Sequence, residues 1–172
     1  MKLHEYLSDR HVEFDVLDHE ATFDSQHLAE SIHVSGRRVA KTVLLRMDHG
    51  YKYAVAILPA THLIDLEAIA QLLGGAKLEL ATEYEIAQRC PDCETGVLPP
   101  FGSMYGLETL LDESLRNAEQ IVFEGNTHHE AIRMAGEDFM RLENPIVGSF
   151  ARSRIIRPFD AGSSGESSDQ SS

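Results

Sequence analysis

Along Val39-Ala40-Lys41-Thr42-Val43-Leu44-Leu45-Arg46-Met47 the odd positions are Val, Lys, Val, Leu and Met, an apolar face interrupted by one lysine. Side chains alternate faces along a strand, so this spacing predicts a strand over 39–47. A second apolar run, Tyr51 to Leu58, follows Asp48-His49-Gly50, and the two read as a hairpin with glycine where a positive φ is needed. Val12, Phe14 and Val16 alternate with Glu13 and Asp15, which predicts a strand over 12–17; further strands are expected over 77–80 and near 107–111, 120–124 and 130–134. Helical spacing covers 2–9, with Leu3, Tyr6 and Leu7 on one side, and 25–32 behind Asp24 or Ser25 as a cap. Asp65 caps a helix that runs to Leu73 and stops at Gly74-Gly75. Thr82-Glu83-Tyr84-Glu85 fits a capping box opening a helix to about Arg89, and a last short helix is expected at 136–142. Gly36-Arg37-Arg38 and the Cys/Pro/Gly-rich stretch 90–106 read as loops. Short strands and helices interleaved around one long loop imply an α+β domain.

The chain has 172 residues, of which 42% are hydrophobic and 25% charged, enough for one domain with one sizeable core. From Ala161 onward it is mostly Ser, Gly and acid, with no apolar surface to offset ordering entropy. Residues 1–157 therefore read as the domain and 158–172 as a disordered Ser-rich tail. No run approaches the roughly 18 apolar residues of a bilayer span. Met1-Lys2-Leu3-His4-Glu5-Tyr6 has no apolar signal-peptide core, so no membrane is involved and the expected location is the cytoplasm. Net charge is −13, and the tail from Pro158 holds three acids and no Lys or Arg, which leaves −10 for residues 1–157. That balance argues against a generic DNA or RNA binder. It leaves room for a protein that grips only the end of an RNA through a small basic cluster.

Three stretches carry candidate chemistry. Lys41 on an apolar face needs an anionic partner or an opening to water, unless it snorkels from the strand end. Gly96-Val97-Leu98-Pro99-Pro100-Phe101-Gly102-Ser103-Met104-Tyr105-Gly106 combines fixed φ at proline with close backbone approach at glycine. Such a loop suits oxyanion stabilisation by backbone N–H groups, or is plain scaffold. Glu124-Gly125-Asn126-Thr127-His128-His129-Glu130 reads as a solvated loop, a pocket lining or a metal site, although neither HxxxH nor HExxH spacing occurs. Cys90-Pro91-Asp92-Cys93 is read first as two ordinary thiols, with a metal site completed by His128-His129 and a redox pair as the alternatives. A structural zinc needs four ligands, and a redox pair is expected to open a helix rather than follow one. No GxSxG elbow and no phosphate-binding glycine motif is present.

These pieces, in this order, resemble the YbaK/ProX family of free-standing aminoacyl-tRNA deacylases. The resemblance runs over about 10–150. It rests on Val39-Ala40-Lys41-Thr42-Val43-Leu44-Leu45, on Tyr53-Ala54-Val55-Ala56-Ile57-Leu58-Pro59, and on Ile64-Asp65-Leu66 through Gly74. It continues in the G-x-x-x-P-[FL]-G pattern of Gly96 to Gly102 and in the strand, turn and helix from Ile121 to Leu142. It implies a compact α+β domain around a mostly antiparallel, barrel-like mixed sheet. The implied reaction is hydrolysis of the ester between a wrong amino acid and tRNA. Editing of this kind answers the weak discrimination, about 1–3 kcal/mol per methylene, that a binding pocket achieves for small apolar side chains.

The resemblance also implies roles. Lys41 would hold the terminal adenosine or its phosphate, and the backbone near Gly102 would orient the carbonyl or the attacking water. Thr42, Gly96, Pro100, Phe101, Gly125 and His128 would surround the substrate. The ribose 2′-OH assists and no metal or other cofactor takes part. The partners implied are the 3′ end of mischarged aminoacyl-tRNA and, alongside it, a synthetase. Several members carry a Ser-Gly-Gly-basic run where this chain has Glu124 to His129, which leaves alanine, cysteine, serine and proline-like substrates open. A non-catalytic module of the same fold, docking on a synthetase or other protein, is the alternative.

Overall fold

A computed structural model of the chain describes residues 3–19, 39–50, 52–94 and 97–153. The helix expected at 25–32, the loop at 36–38, Gly96 and the tail lie outside these residues.

Among the described residues four α-helices and ten strands follow one another. They begin with α1 (Leu3–Asp9), β1 (Phe14–Asp18), β2 (Ala40–Met47), β3 (Lys52–Pro59), β4 (His62–Ile64), α2 (Leu66–Leu72) and β5 (Leu78–Leu80). After these come α3 (Glu83–Arg89), β6 (Glu108–Asp112), β7 (Gln120–Glu124), β8 (Glu130–Ala135), α4 (Gly136–Glu143), β9 (Ile146–Gly148) and β10 (Ala151–Ser153). The hairpin expected at 39–58 forms, with Lys41 opposite Leu58 and Leu44 opposite Val55. Its turn is tighter than glycine alone requires, because Asp48 and His49 join Gly50 at positive φ. Asp65 accepts a 3.0 Å bond from the Ala68 N–H and starts α2. Thr82 and Glu85 close the capping box of α3 in both directions, at 3.2 and 2.7 Å.

The strands form a five-stranded sheet in the order β5-β2-β3-β6-β9, a three-stranded sheet β1-β8-β7, and the pair β10-β4. β6 runs parallel to β3, and β9 parallel to β6; the other pairings are antiparallel. The sheet is thus mixed and mostly antiparallel, as expected. Among the described residues the barrel does not close, and an isolated parallel bridge, Val39 to Val122, joins the two larger sheets at one corner.

Each face of the central sheet buries a cluster. On one, Ala40, Ile57 and Leu111 meet Leu3, Tyr6 and Leu7 of α1, Phe101, Ile121 and Phe123, Ile132 and Met134, and Phe139 of α4. On the other, Leu45, Met47, Ala54, Ala56, Leu58 and Leu110 meet Ile69 of α2 and Phe150. Each such large apolar side chain contributes about 1.5–3 kcal/mol on burial. Phe150 is held there by Asp112, whose buried carboxylate accepts the N–H groups of Phe150 and Ala151, both at 2.8 Å. β1 starts at Phe14 rather than Val12, and as an edge strand it leaves Val16 41% exposed.

Candidate active site

The Val39–Val122 bridge brings the start of β2 alongside β7, running in the same direction. Both valines are buried, with Ala60, Ala131 and the flank of Leu17. Side chains two residues further on return to the same face. Those residues are Lys41 on β2 and Glu124 on β7. Lys41 is half-buried, between this small cluster and the one that holds Val43, Leu45 and Met47. Glu124 is 9% exposed, a carboxylate one strand over on the same seam. An ammonium on an apolar face thus has a carboxylate at the matching step of the neighbouring strand.

Beyond Glu124 the chain turns through Gly125 to His129 into β8. Gly125 lies close under Ile132: a Cβ there would stand 2.9 Å from Ile132 Cγ1. Asn126 takes the left-handed conformation, φ 68°, which asparagine tolerates better than most residues. It is 7% exposed and bonded on several sides. Its Oδ1 accepts from the Leu3 N–H at 3.1 Å, its carbonyl from the Glu94 N–H at 2.9 Å, and its Nδ2 donates to Cys93 Sγ at 3.4 Å. The Glu94 carboxylate returns to the turn and accepts the His128 N–H at 2.8 Å. His128 Nδ1 lies 3.8 Å from Glu124 Oε2. In front of this turn is a cavity of about 400 Å³, lined by His4, Glu5, Asp92, Gly125, Asn126, Thr127 and Glu130. Its size is within the range of small-ligand sites, and its walls carry three carboxylates. Among the described residues no three His, Cys, Asp or Glu side chains come together as a metal site.

The segment next to this turn departs from expectation. Cys90 and Cys93 are joined in a disulfide, with Cα atoms 5.4 Å apart, rather than standing as two thiols. The reason is local: α3 ends at Cys90, and the following turn bonds the Cys93 N–H back to the Cys90 carbonyl at 3.1 Å. That turn brings the two side chains onto one side.

The glycine-proline loop has a different character. Val97, Leu98, Pro99, Pro100 and Phe101 are all buried. Phe101 is 0% exposed, with the rings of Tyr6, Phe123 and Phe139 at 5.4, 5.5 and 5.4 Å. The substrate contact expected of Phe101 is therefore replaced by a core contact. Gly102 is corrected in the same way. Its N–H donates to Thr109 Oγ1 at 3.1 Å and its carbonyl accepts from Leu107 at 2.9 Å, so neither group is left for a substrate. Glycine is required there for space, since a Cβ would lie 2.5 Å from Thr109 Oγ1 and 2.8 Å from the Leu107 carbonyl. Glu143 at the end of α4 secures the loop, accepting from Thr109 Oγ1 at 2.7 Å, from Tyr6 OH at 3.3 Å, and from the backbone and hydroxyl of Ser103.

The structure thus divides the expected set. Gly125 and His128 belong to the turn that follows β7, and Lys41 and Glu124 stand at matching steps beyond the Val39–Val122 bridge. Thr42 lies on the opposite face of β2, with Leu44, whose cluster holds Leu98 and also Cys93, the residue bonded to Asn126 of the turn. Pro100, Phe101 and Gly102 belong to the glycine-proline loop. Glu124 and Asn126 stood in a candidate stretch without roles of their own, and Glu94 lay outside all of the candidate stretches. Lone polar residues in a loop become legible only when their partners, distant in sequence, are known.

Residues 19–142 match the aminoacyl-tRNA editing domain. The chain belongs to that family. Its chemistry is hydrolysis of the ester that joins a wrong amino acid to tRNA, and aminoacyl-tRNA is its substrate. Among characterised proteins this editing domain is 25% identical, over 149 residues, to the multifunctional Ser/Thr-tRNA deacylase ProXp-y of Escherichia coli K12 and O157:H7. The match spans 85% of this chain and 89% of that protein. In fold the editing domain is similar to the hypothetical protein APE2540, with a TM-score of 0.79 at 16% identity over 88% of this chain and 100% of the other. It is also similar, at a TM-score of 0.72 and 21% identity over 86% and 92%, to a structure proposed to be a trans-editing enzyme for prolyl tRNA synthetase. No helix among the described residues is long and apolar enough to cross a membrane.

Proposed function

We propose that this editing domain removes serine or threonine from tRNAs that should carry another amino acid, and that the reaction takes place at the Glu124 end of β7. The observation that carries the reading is the Val39–Val122 bridge, which sets Lys41 and Glu124 at the same step beside the hydrogen-bonded turn 125–128. Lys41 holds the phosphate of the terminal adenosine, and Glu124 on the matching strand fixes the direction of its ammonium. The aminoacyl group enters the cavity at Gly125, Asn126 and Thr127. Glu5, Asp92 and Glu130 there offer carboxylates to its α-ammonium, and Thr127 and Asn126 offer hydrogen bonds to a side-chain hydroxyl. Water, assisted by the ribose 2′-OH, adds to the ester carbonyl; the bond to the ribose oxygen breaks, and free tRNA and free amino acid leave. Positioning and fixed dipoles supply the rate without a side-chain nucleophile. The identity of the amino acid follows the ProXp-y relative and the polar lining of the cavity. A domain of this kind acts in the cytoplasm on tRNA released by a synthetase.

The test is release of labelled amino acid from tRNAs charged with serine, threonine, alanine, cysteine and proline. Wild type is expected to release serine or threonine from a non-cognate tRNA, and Lys41→Ala to lose at least about 10²-fold in kcat/KM with its unfolding midpoint unchanged. Full activity of Lys41→Ala removes the lysine from the mechanism. No release from any charged tRNA moves the chain to the non-catalytic alternative.

A further inference from the structure

The disulfide lies directly under the turn that faces the cavity. Cys93 Sγ accepts from the Asn126 amide at 3.4 Å, and the next residue, Glu94, binds Asn126 through its N–H and His128 through its carboxylate. Three hydrogen bonds thus connect residues 93–94 with 126–128. Two of them come from Glu94, whose direction depends on the closed turn before it. We infer that Cys90–Cys93 is a redox-sensitive brace, opened by a dithiol reductant, whose opening loosens the 125–128 turn and lowers deacylation; this rests on the placement of the site at that turn.

The surroundings fit thiol–disulfide exchange. Cys90 is 1% exposed, and Cys93 is the more open of the two. A thiolate of the incoming dithiol attacks Cys93 Sγ, the Cys90–Cys93 bond breaks, and Cys90 departs as a thiolate. The second thiol of the reductant then attacks the mixed disulfide and releases Cys93. Two electrons and two protons pass to the protein, and the reductant leaves as a cyclic disulfide. The departing Cys90 sulfur has a donor waiting, since the Tyr105 hydroxyl is 3.0 Å away. Burial, with Asp92 adding to it, pushes the Tyr105 hydroxyl up to about 12, so it stays protonated and donates to the thiolate. A hydrogen-bonded thiolate is a better leaving group than one stranded in an apolar site.

The test equilibrates the whole protein with reduced and oxidised dithiothreitol at stepped ratios. It follows free thiols by alkylation, kcat/KM on seryl-tRNA of non-cognate identity, and amide exchange of residues 125–128. The expected result is a fall in kcat/KM of about tenfold or more in step with the thiol fraction, because small misplacements of positioning groups cost that much. Exchange at 125–128 accelerates over the same range. Cys90→Ala/Cys93→Ala sits at the reduced level and ignores dithiothreitol. Equal kcat/KM and equal exchange in the two forms overturn the brace, as does a pair of cysteines that stays alkylatable after treatment with oxidised dithiothreitol. If neither form releases amino acid, the deacylase reading fails, and exchange at 125–128 then decides the brace alone.

Discussion

Two loops of the molecule are held in opposite ways. The turn 125–129 is fixed by accepting a hydrogen bond from Leu3 and donating to Cys93 and Glu94, and it stays open to a cavity in front. The loop 97–105 is buried by packing, with Phe101 inside three aromatic rings and Gly102 against Thr109, and its hydrogen bonds to Thr109 and Glu143 close its end inward. Hydrogen bonds set the direction of a backbone and leave its outer surface free for a ligand. Packing uses the surface up. The first device suits a loop that meets substrate; the second suits one that keeps the sheets and α4 together.

Substitutions on each side sharpen the contrast. Phe101→Ala is expected to cost about 3–5 kcal/mol in urea unfolding. A loss below about 1 kcal/mol would mean that the ring is not part of the core. Asn126→Ala removes bonds to Leu3 and Cys93 and puts alanine at a left-handed φ; we expect about 1–3 kcal/mol of destabilisation. Its fall in kcat/KM should be larger than that of Phe101→Ala assayed well below its own unfolding temperature. The reverse order would transfer the substrate to the packed loop.

Asp112 provides a pH test away from both loops. Burial alone would raise its carboxyl, but bonds from the Ser114 hydroxyl and from the N–H groups of Phe150, Ser114 and Ala151 outweigh that and hold it below the usual range. Its stabilisation is therefore full above about pH 3.9, the unfolded value, and is lost as pH falls through the lower folded value. Asp112→Asn should lower stability by about 1–3 kcal/mol at pH 7, and the gap to wild type should narrow by pH 3. A gap that does not change between pH 7 and pH 3 would contradict this. The smallest effect is expected from deleting residues 161–172: no change in melting temperature or deacylation, since that composition offers nothing to pack. A drop of several degrees would show a partner for it.

Much of this was legible in the chain. The 39–58 hairpin, both helix caps and the face of Lys41 follow from alternation and capping, which are local rules. What escaped is what depends on distant partners. β4, β9 and β10 are three residues each and carry no period of their own; they exist because β6 and each other are there. The sense of Gly102 could not be read either: glycine between Phe101 and Ser103 signals close approach, and only the fold says that the approaching group is Thr109 rather than a substrate. Glu124 is legible as part of a candidate stretch, but its place beside the lysine strand follows only from the Val39–Val122 bridge.

The pairing of β1 with β8 has a consequence for how the protein is made. Phe14 lies opposite Met134 and Asp18 opposite Glu130, so β1 leaves the ribosome more than a hundred residues before its neighbour. Closing so long a loop is entropically slow compared with forming the 40–59 hairpin, whose partners follow at once. The nascent chain therefore carries an unmatched strand edge through most of its synthesis. With Asp15 and Asp18 along it, that edge is charged enough to discourage pairing with a stranger while it waits.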